Sequence, residues 1–330
     1  MFILSHDDIP MSEQTLFDET FLHKIDRLSL VVRKRRSGQL KGERRSTKRG
    51  TSVEFADYRN YTRGDDLRRV DWNIYARLER PFVKLFEEEE ELNVHLLLDA
   101  SHSMDWGDTD TGVASPPGTT SPPEAANKWT YARRVAAALG YIALSSGDRL
   151  MISLLRQKST PSSPRHAALG RFGPTRGKGQ ALPLLRFLSD QTTDGTTDLN
   201  RSLHDYAFAA HRPGLAVLIS DLFSPGGYQD GLSTLLARGY EGMLLHVLAP
   251  DEIDPPLAGD LKLVDVESGH EQEVTIDAGM RARYRRRLEA WQEEANRWCM
   301  QRGVAYVPVS TSLPFDKLIL FHLRQRGLVR

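Results

Sequence analysis

Short apolar runs alternate along the chain with stretches whose apolar residues recur every three or four positions. The runs have the length of strands and are almost continuous, which is typical of strands buried on both faces of a parallel sheet. The stretches between them have the period of amphipathic helices. The predicted strands of this kind are 94–98, 149–155, 215–223, 244–248 and 304–309. This alternation predicts an α/β fold with a mostly parallel sheet flanked by helices.

The remaining elements complete this pattern. Helical periodicity occurs over residues 17–32, 131–142, 182–188, 199–210, 280–298 and 316–323. Further strands are expected at 82–86 and 167–172, and a hairpin at 261–266 and 273–276 around Ser268 and Gly269. We expect 82–86 to form a hairpin with 94–98, which would add an antiparallel strand to the edge of the sheet.

Oxygen side chains follow two of the predicted buried strands. Asp99, Ser101 and Ser103 lie at alternate positions after 94–98, and Asp221 lies at the end of 215–223. In open α/β sheets ligands bind at the carboxyl ends of the strands. Carboxylate and hydroxyl donors suit a hard cation, Mg²⁺ first, with Mn²⁺ or Ca²⁺ as alternatives. The other interpretation makes these residues helix caps, but two buried strands that each end in an acid favour the metal site.

Composition restricts the class of protein. Forty-four basic and forty-four acidic side chains cancel, so no overall charge favours nucleic acid or a membrane surface. Cys299 is the only cysteine, which excludes an intrachain disulfide and a cysteine-based metal site. The N-terminal residues do not resemble a signal peptide, and no stretch reaches the roughly 18–20 apolar residues of a membrane span. The sequence therefore predicts a cytoplasmic protein.

Two polar segments interrupt the pattern. Residues 33–49 carry nine basic side chains and one acid, so this basic arm is either a solvated tail or a nucleic-acid contact. It has no interleaved aromatic residues for base stacking, which favours the solvated tail. Residues 105–128 are rich in Pro, Gly, Ser and Thr, which predicts a loop beside the metal site.

A dense mixture of acids, arginines and aromatics precedes the first buried strand. Arg59, Arg68 and Arg77 are expected to pair with nearby carboxylates and form a charge-paired collar; the alternative is a partner-binding surface. The diagnostic residues are Glu54-Phe55, Tyr58-Arg59, Gly64-Asp65-Asp66, Arg68, Asp71-Trp72 and Ala76-Arg77. With the strand and serines that follow, they resemble the bacterial and archaeal family called domain of unknown function 58.

The resemblance implies a von Willebrand factor A-like fold, with a doubly wound, mostly parallel sheet over residues 91–330. Compared with the family pattern, residues 105–128 look like an insertion in this domain. Residues 1–90 would then hold a leader, a helix, the basic arm and the collar. The Asp-x-Ser-x-Ser pattern resembles the metal-ion-dependent adhesion site of such domains. In the family a Gly-Gly-Thr-Asp-Leu-like loop supplies a threonine to this site, and Thr197 aligns best with it. Because Thr196 replaces the second glycine, either hydroxyl could face the ion. The implied metal-site residues are Asp99, Ser101, Ser103, Thr197 and Asp221.

This ligand set predicts a non-enzymatic protein that binds partners through the ion. Three neutral hydroxyls leave much of the divalent charge uncompensated, so a partner carboxylate would complete the coordination shell. The family resemblance implies a MoxR-type AAA ATPase as a partner in the assembly or maturation of a client protein. The chain has no phosphate-binding Gly-x-x-x-x-Gly-Lys-Ser/Thr loop of its own.

Two other functions remain open. A metal-dependent phosphoryl hydrolase would use Asp99 as its nucleophile or water activator, but a second Asp is expected two residues later, where Ser101 stands. A nucleic-acid binder would use the basic arm and would bind less tightly as salt increases. No His and Asp partners for a nucleophilic serine are evident.

Overall fold

The computed structural model describes Phe17 and residues 19–31, 54–87, 92–107, 127–156, 170–209, 212–256, 259–264 and 271–330. The chain divides into two units, a larger one of Met1–Arg33 with Leu92–Arg330, and a smaller one of Lys34–Glu91. The predicted leader, the basic arm at 33–49 and residues 108–126 of the predicted insertion lie outside the described residues.

Regular elements alternate along the described chain as the hydrophobic pattern predicts. The strands are β1 (Glu54–Asn60), β2 (Phe82–Glu87), β3 (Asn93–Asp99), β4 (Arg149–Leu155), β5 (Arg171–Arg176), β6 (Leu215–Ser220), β7 (Glu241–Leu248), β8 (Gly259–Val264), β9 (Glu271–Ile276) and β10 (Ala305–Ser310). The helices are α1 (Glu19–Ile25), α2 (Trp72–Leu78), α3 (Lys128–Ser145), α4 (Ala181–Ser189), α5 (Leu199–Phe208), α6 (Gln229–Ala237), α7 (Pro250–Ile253) and α8 (Ala278–Gln301). A C-terminal segment joins α9 (Phe315–Lys317), a π-helical turn (Leu318–His322) and α10 (Leu323–Gln325).

The central sheet has six strands in the order β10-β7-β6-β3-β4-β5. Five strands are parallel, and β5 runs antiparallel to β4 at one edge. The chain starts in the middle at β3, proceeds through β4 and β5 to one side, and then returns through β6 to the other side. The order therefore reverses between β3 and β6, and ligands of open α/β sheets bind at such a reversal.

Strand β3 is buried on both faces, which explains its nearly continuous apolar sequence. Leu96 and Leu98 join the apolar core on one face, with helices α1, α3 and α4, whereas Leu97 joins the core on the other, with α5, α6 and α8. His95 is buried among them, and its two ring nitrogens lie 2.7 Å from the Tyr206 hydroxyl and 2.9 Å from the Arg212 carbonyl oxygen. The larger unit is thus a mixed α/β structure whose mostly parallel sheet is flanked by helices.

Three expectations for individual elements are wrong. Strand β2 pairs with β1 in a separate two-stranded sheet, rather than with β3, because β4 and β6 occupy both edges of β3. The antiparallel edge strand is β5, which lies at 171–176 rather than at 167–172. Helix α1 ends at Ile25 instead of continuing to residue 32, and Leu30 beyond it pairs with Val329.

In the smaller unit, only part of the predicted charge pairing occurs among the described side chains. The Arg59 guanidinium donates to both carboxylate oxygens of Asp65, at 2.7 and 2.9 Å. Asp66 and Asp71 instead accept backbone N–H groups at the first turns of short helices, as N-caps do. The acids of this segment therefore fix local backbone conformation as well as pairing with arginine.

Within the described ranges, no helix combines the length and apolar character needed to cross a membrane.

Candidate functional site

The loop after β3 is fixed by backbone hydrogen bonds to two neighbouring segments. The Ala100 N–H donates to the carbonyl of Leu155 at the end of β4, and the Ala100 carbonyl accepts from the Asp194 N–H. The His102 N–H donates to the Gly195 carbonyl at 2.9 Å, and a single 3₁₀ turn follows, closed by the buried Met104. The loop that carries the two serines is therefore attached to the loop that carries Thr197.

Asp99 is the centre of a buried hydrogen-bond cluster. Its Oδ1 accepts from the Ser101 N–H at 3.1 Å and from the Ser101 hydroxyl at 2.8 Å. Its Oδ2 accepts from the Ser220 hydroxyl at 2.6 Å. The Ser103 hydroxyl lies 3.0 Å from that of Ser101 and is half-buried. Three of the predicted metal-site residues are thus connected at the carboxyl end of β3, Asp99 to Ser101 and Ser101 to Ser103.

Thr197 completes the cluster from the following loop. Its Oγ1 lies 3.0 Å from both the Asp99 carboxylate and the Leu155 carbonyl oxygen, so its single proton can go to either acceptor. Thr197 is buried, whereas Thr196 is exposed. Of the two candidate threonines, Thr197 is therefore the one whose hydroxyl contacts Asp99.

Asp221 lies immediately after β6, on the neighbouring strand, but its carboxylate is engaged elsewhere. The register pairs Leu98 with Ile219, which brings Asp99 level with Ser220 rather than with Asp221. Asp221 Oδ1 accepts from the Phe223 N–H at 3.0 Å, and Oδ2 lies 2.7 Å from the ammonium of Lys128. Four predicted site residues are therefore in one hydrogen-bonded cluster, and the fifth, Asp221, is in an adjacent ion pair.

The turn after β6 holds an unusual backbone conformation. Leu222 has a φ of 63°, in the left-handed region that non-glycine residues rarely occupy. Its N–H donates to the Ser220 hydroxyl at 2.9 Å, and its side chain is buried. Such strain persists where surrounding contacts fix the backbone, and it is concentrated at functional sites.

Lys128, the first residue of α3, was not identified from the sequence. Its side chain is fully buried, and its ammonium lies 2.7 Å from Asp221 and 2.6 Å from Glu252 at the start of α7. The sequence does contain a signal, because Lys128 lies one turn before Tyr131 on the apolar face of α3, where a charged residue is unexpected. Ser220 was also missed, since strand register is not evident from sequence.

Burial dominates the electrostatics of the site. Desolvation, followed by the negative charge of Asp221, raises the pKa of Asp99 to about 6, although the hydrogen bonds from Ser220 and Ser101 act against this shift. Desolvation also raises the pKa of Glu252, which the Lys128 ammonium opposes. His246, whose ring lies 3.1 Å from the Asp221 carbonyl oxygen, has its pKa lowered by burial to about 4.

These pKa shifts affect stability in opposite directions. Asp99 is raised above its ordinary 3.8, so its contribution to stability is present in acid and is lost as pH rises towards about 6. His246 is lowered below its ordinary 6.5, so its contribution is present above that pH and is lost as pH falls towards about 4.

The donor set fits a hard cation with few charged ligands. Neighbouring ligands of an octahedral Mg²⁺ with bonds of about 2.1 Å lie about 3.0 Å apart, and the Ser101 and Ser103 hydroxyl oxygens are 3.0 Å apart. Ser101 donates its proton to Asp99, which leaves its lone pairs available to an ion. Among the described residues there is no group of three or more His, Cys, Asp or Glu side chains that could hold a metal. An ion bound here would therefore depend on hydroxyls together with the Asp99 carboxylate.

Comparison with known proteins identifies the family. Residues 57–294, more than two thirds of the chain, match the family described as "Protein of unknown function DUF58". The chain belongs to this family. An uncharacterized protein of Mycobacterium tuberculosis is 28% identical over 287 residues, which cover 86% of this chain and 83% of that protein. An uncharacterized protein of Mycobacterium avium is 33% identical over 118 residues, 35% of this chain and 69% of that protein.

Two solved structures show weaker similarity. An aerotolerance-related membrane protein from Bacteroides fragilis is 14% identical with a TM-score of 0.39, over 71% of this chain and 99% of that one. The conserved hypothetical protein BatB from Bacteroides thetaiotaomicron is 13% identical with a TM-score of 0.38, over 72% and 98%. Neither similarity bears on function.

Proposed function

We propose that the protein is a non-enzymatic, metal-dependent protein-binding adaptor with a von Willebrand factor A-like domain. The observation that carries the proposal is the cluster of Asp99, Ser101, Ser103 and Thr197, linked by contacts of 2.8 to 3.0 Å at the reversal of strand order. All its side-chain donors are oxygens, which suits Mg²⁺, with Mn²⁺ or Ca²⁺ as alternatives.

The charge of the cluster supports binding of an acidic group. Of the described carboxylates at the site, Asp99 contacts the Ser101 and Thr197 hydroxyls, whereas Asp221 is already paired with Lys128. A divalent ion held by neutral hydroxyls beside one carboxylate keeps net positive charge. An Asp or Glu from a partner protein would neutralise that charge and fill an open coordination position.

Two exposed aromatic side chains near the cluster support a protein partner over a small anion. Trp106 follows Ser103 by three residues and is 47% exposed, and Phe223 follows Asp221 by two and is 42% exposed. The Phe223 ring stacks on Trp291 at 5.6 Å, which holds it in place. Aromatic side chains are enriched at protein interfaces, where they surround the central contact and exclude water.

The proposed partners are a MoxR-type AAA ATPase and a client protein that it assembles or matures. This part of the proposal rests on the family resemblance, because the residues of the site do not name the ATPase. Hydrolysis of ATP would belong to the partner, and its need for ATP would place the interaction in the cytoplasm.

A metal-dependent hydrolase is the less favoured function. A nucleophilic carboxylate needs an exposed oxygen, whereas Asp99 is 2% exposed and both of its oxygens accept hydrogen bonds. The buried Lys128 is paired with two carboxylates, so it is poorly suited to hold a substrate phosphate. Nucleic-acid binding through residues 33–49 remains an outcome of the test below.

The experiment measures binding of the MoxR-type ATPase from the same cell to the immobilised full chain. Three samples are compared: the wild type in Mg²⁺, the wild type in chelator, and Asp99→Ala in Mg²⁺. Each sample is tested first with the purified ATPase and then with a native-cell extract. We expect chelator and Asp99→Ala each to abolish retention. Asp205→Ala is the matched control, because it removes an acid that is 71% exposed on the same unit.

Equal retention of the ATPase in all three conditions would overturn metal-mediated recruitment. Binding that survives chelator but weakens steeply with salt, and that depends on added nucleic acid, would instead assign the function to the basic arm. Turnover of a phosphoester by the purified chain alone, lost in Asp99→Ala, would assign it to the hydrolase class.

A further inference from the structure

A lysine occupies an unfavourable position beside the candidate metal site. Lys128 has no exposed side-chain surface and is the first residue of an 18-residue helix, whose N-terminus carries partial positive charge and disfavours a cation. Burial of its ammonium adds a desolvation cost. Helix stability therefore does not explain a lysine here, and the contacts that hold it are the carboxylates of Asp221 and Glu252.

The same contacts determine what Asp221 can do. Its Oδ2 is bound by the Lys128 ammonium and its Oδ1 by the Phe223 N–H, so each carboxylate oxygen already has a donor. Glu252 is fixed in turn, because its second oxygen accepts the Ala249 N–H at 2.8 Å. Lys128 also lies 5.1 Å from the centre of the exposed Phe223 ring. The lysine thus links the acid after β6 to the aromatic residue beside the site.

We propose that Lys128 is a positioning residue that keeps Asp221 from coordinating the ion and offsets its charge, so that the bound ion retains its demand for a partner carboxylate. This inference rests on the proposed metal-dependent binding function. The ion then has one carboxylate without a paired cation beside it, Asp99, instead of two. Lys128 lowers the affinity of the site for the free ion. The partner carboxylate must therefore contribute more of the free energy that holds the ion.

If Lys128 has this role, its removal should strengthen Mg²⁺ binding. Removal of a purely structural buried lysine would lower stability and leave or weaken metal binding. Lys128→Met keeps most of the side-chain volume but removes the charge, which frees Asp221 Oδ2 and removes a nearby positive charge. We therefore expect Mg²⁺ affinity, measured by calorimetry on the full chain, to rise about tenfold or more relative to wild type. The Mg²⁺-induced shift in melting temperature should rise with it.

The matched control is Lys178→Met. Lys178 also pairs with an aspartate, Asp26 at 2.7 Å, but its side chain is 57% exposed. This variant should bind Mg²⁺ as the wild type does. A second variant keeps the test valid if Lys128→Met does not fold. In Lys128→Met/Asp221→Asn both charges of the pair are removed, and Mg²⁺ affinity should stay within about threefold of wild type, because neither group is a ligand.

The outcomes separate this inference from the proposed function. If wild type binds Mg²⁺ and Lys128→Met binds it no more tightly, or if the double variant loses Mg²⁺ binding, the role of Lys128 is wrong and metal binding stands. If only Lys128→Met binds Mg²⁺, the wild type lacks the ion that the inference requires, and both are overturned. If no variant and no wild-type protein binds the ion, both are overturned.

Discussion

Ser220 provides a sharp test of the hydrogen-bond cluster, because one hydroxyl serves two buried groups. It donates to Asp99 Oδ2 at 2.6 Å and accepts the N–H of Leu222 at 2.9 Å. Ser220 has no exposed surface. Ser220→Ala removes both interactions with little change in volume, so its effect measures the polar contacts and not a cavity.

Both losses from Ser220→Ala are costly. A hydrogen bond to a charged group contributes about 1.5–3 kcal/mol, and an unsatisfied buried N–H costs about 1–3 kcal/mol. Since Leu222 can relax from its left-handed conformation once this contact is lost, the two costs overlap. We expect the free energy of unfolding to fall by about 3–4 kcal/mol in all. The pKa of Asp99 should also rise further, because the Ser220 hydrogen bond is the largest influence that lowers it.

Urea denaturation in chelator measures the stability loss, and Ser312→Ala is its control. Ser312 is exposed and shares a 2.8 Å hydroxyl contact with Ser310 at the end of β10, so its loss should cost at most about 0.5 kcal/mol. If Ser220→Ala were within about 0.5 kcal/mol of wild type, the cluster would not be formed as described.

Acid titration tests the opposed pKa shifts in the absence of divalent ions. In the wild type, Asp99 adds stability as pH falls and partly offsets the loss from His246; Asp99→Asn removes only the Asp99 contribution. The unfolding free energy of Asp99→Asn should therefore fall more steeply than that of wild type between pH 6.5 and about 4, by on the order of 3 kcal/mol. Parallel curves for the two proteins would refute the raised pKa of Asp99. Gly214→Ala tests the approach of β6 to β3, because an added Cβ would lie 2.0 Å from the Asn93 carbonyl oxygen. We expect a loss of about 2 kcal/mol or more by thermal denaturation, and a neutral effect would contradict that packing.

The hydrophobic pattern of the sequence was sufficient to predict the central strands. β3, β4, β6 and β7 are continuous apolar runs because both faces are covered, and such runs are evident in the sequence. Strand β5 was misplaced for a physical reason. Its sequence contains Gly173 and Pro174, which indicate a turn, and such residues are tolerated only because β5 is an edge strand.

Part of the candidate site could be predicted from the sequence for similar reasons. Acids that directly follow buried strands must lie at one edge of a parallel sheet, so Asp99 and Asp221 could be predicted to be neighbours. Which hydroxyl faces Asp99 depends on register and loop conformation, which the sequence does not reveal; Ser220 was missed for this reason. Lys128 was missed because lysines are rarely buried, although its position on the apolar face of α3 indicated it.

The most direct measurement is anomalous diffraction from crystals of the full chain grown with Mn²⁺. We expect one ordered peak within about 2.3 Å of the Ser101 and Ser103 hydroxyl oxygens, near Thr197 and not directly bonded to Asp221. The peak should be lost in Asp99→Asn. A well-ordered cluster with no peak at millimolar Mn²⁺, or peaks only at exposed acids elsewhere, would contradict the claim that these side chains bind a metal ion.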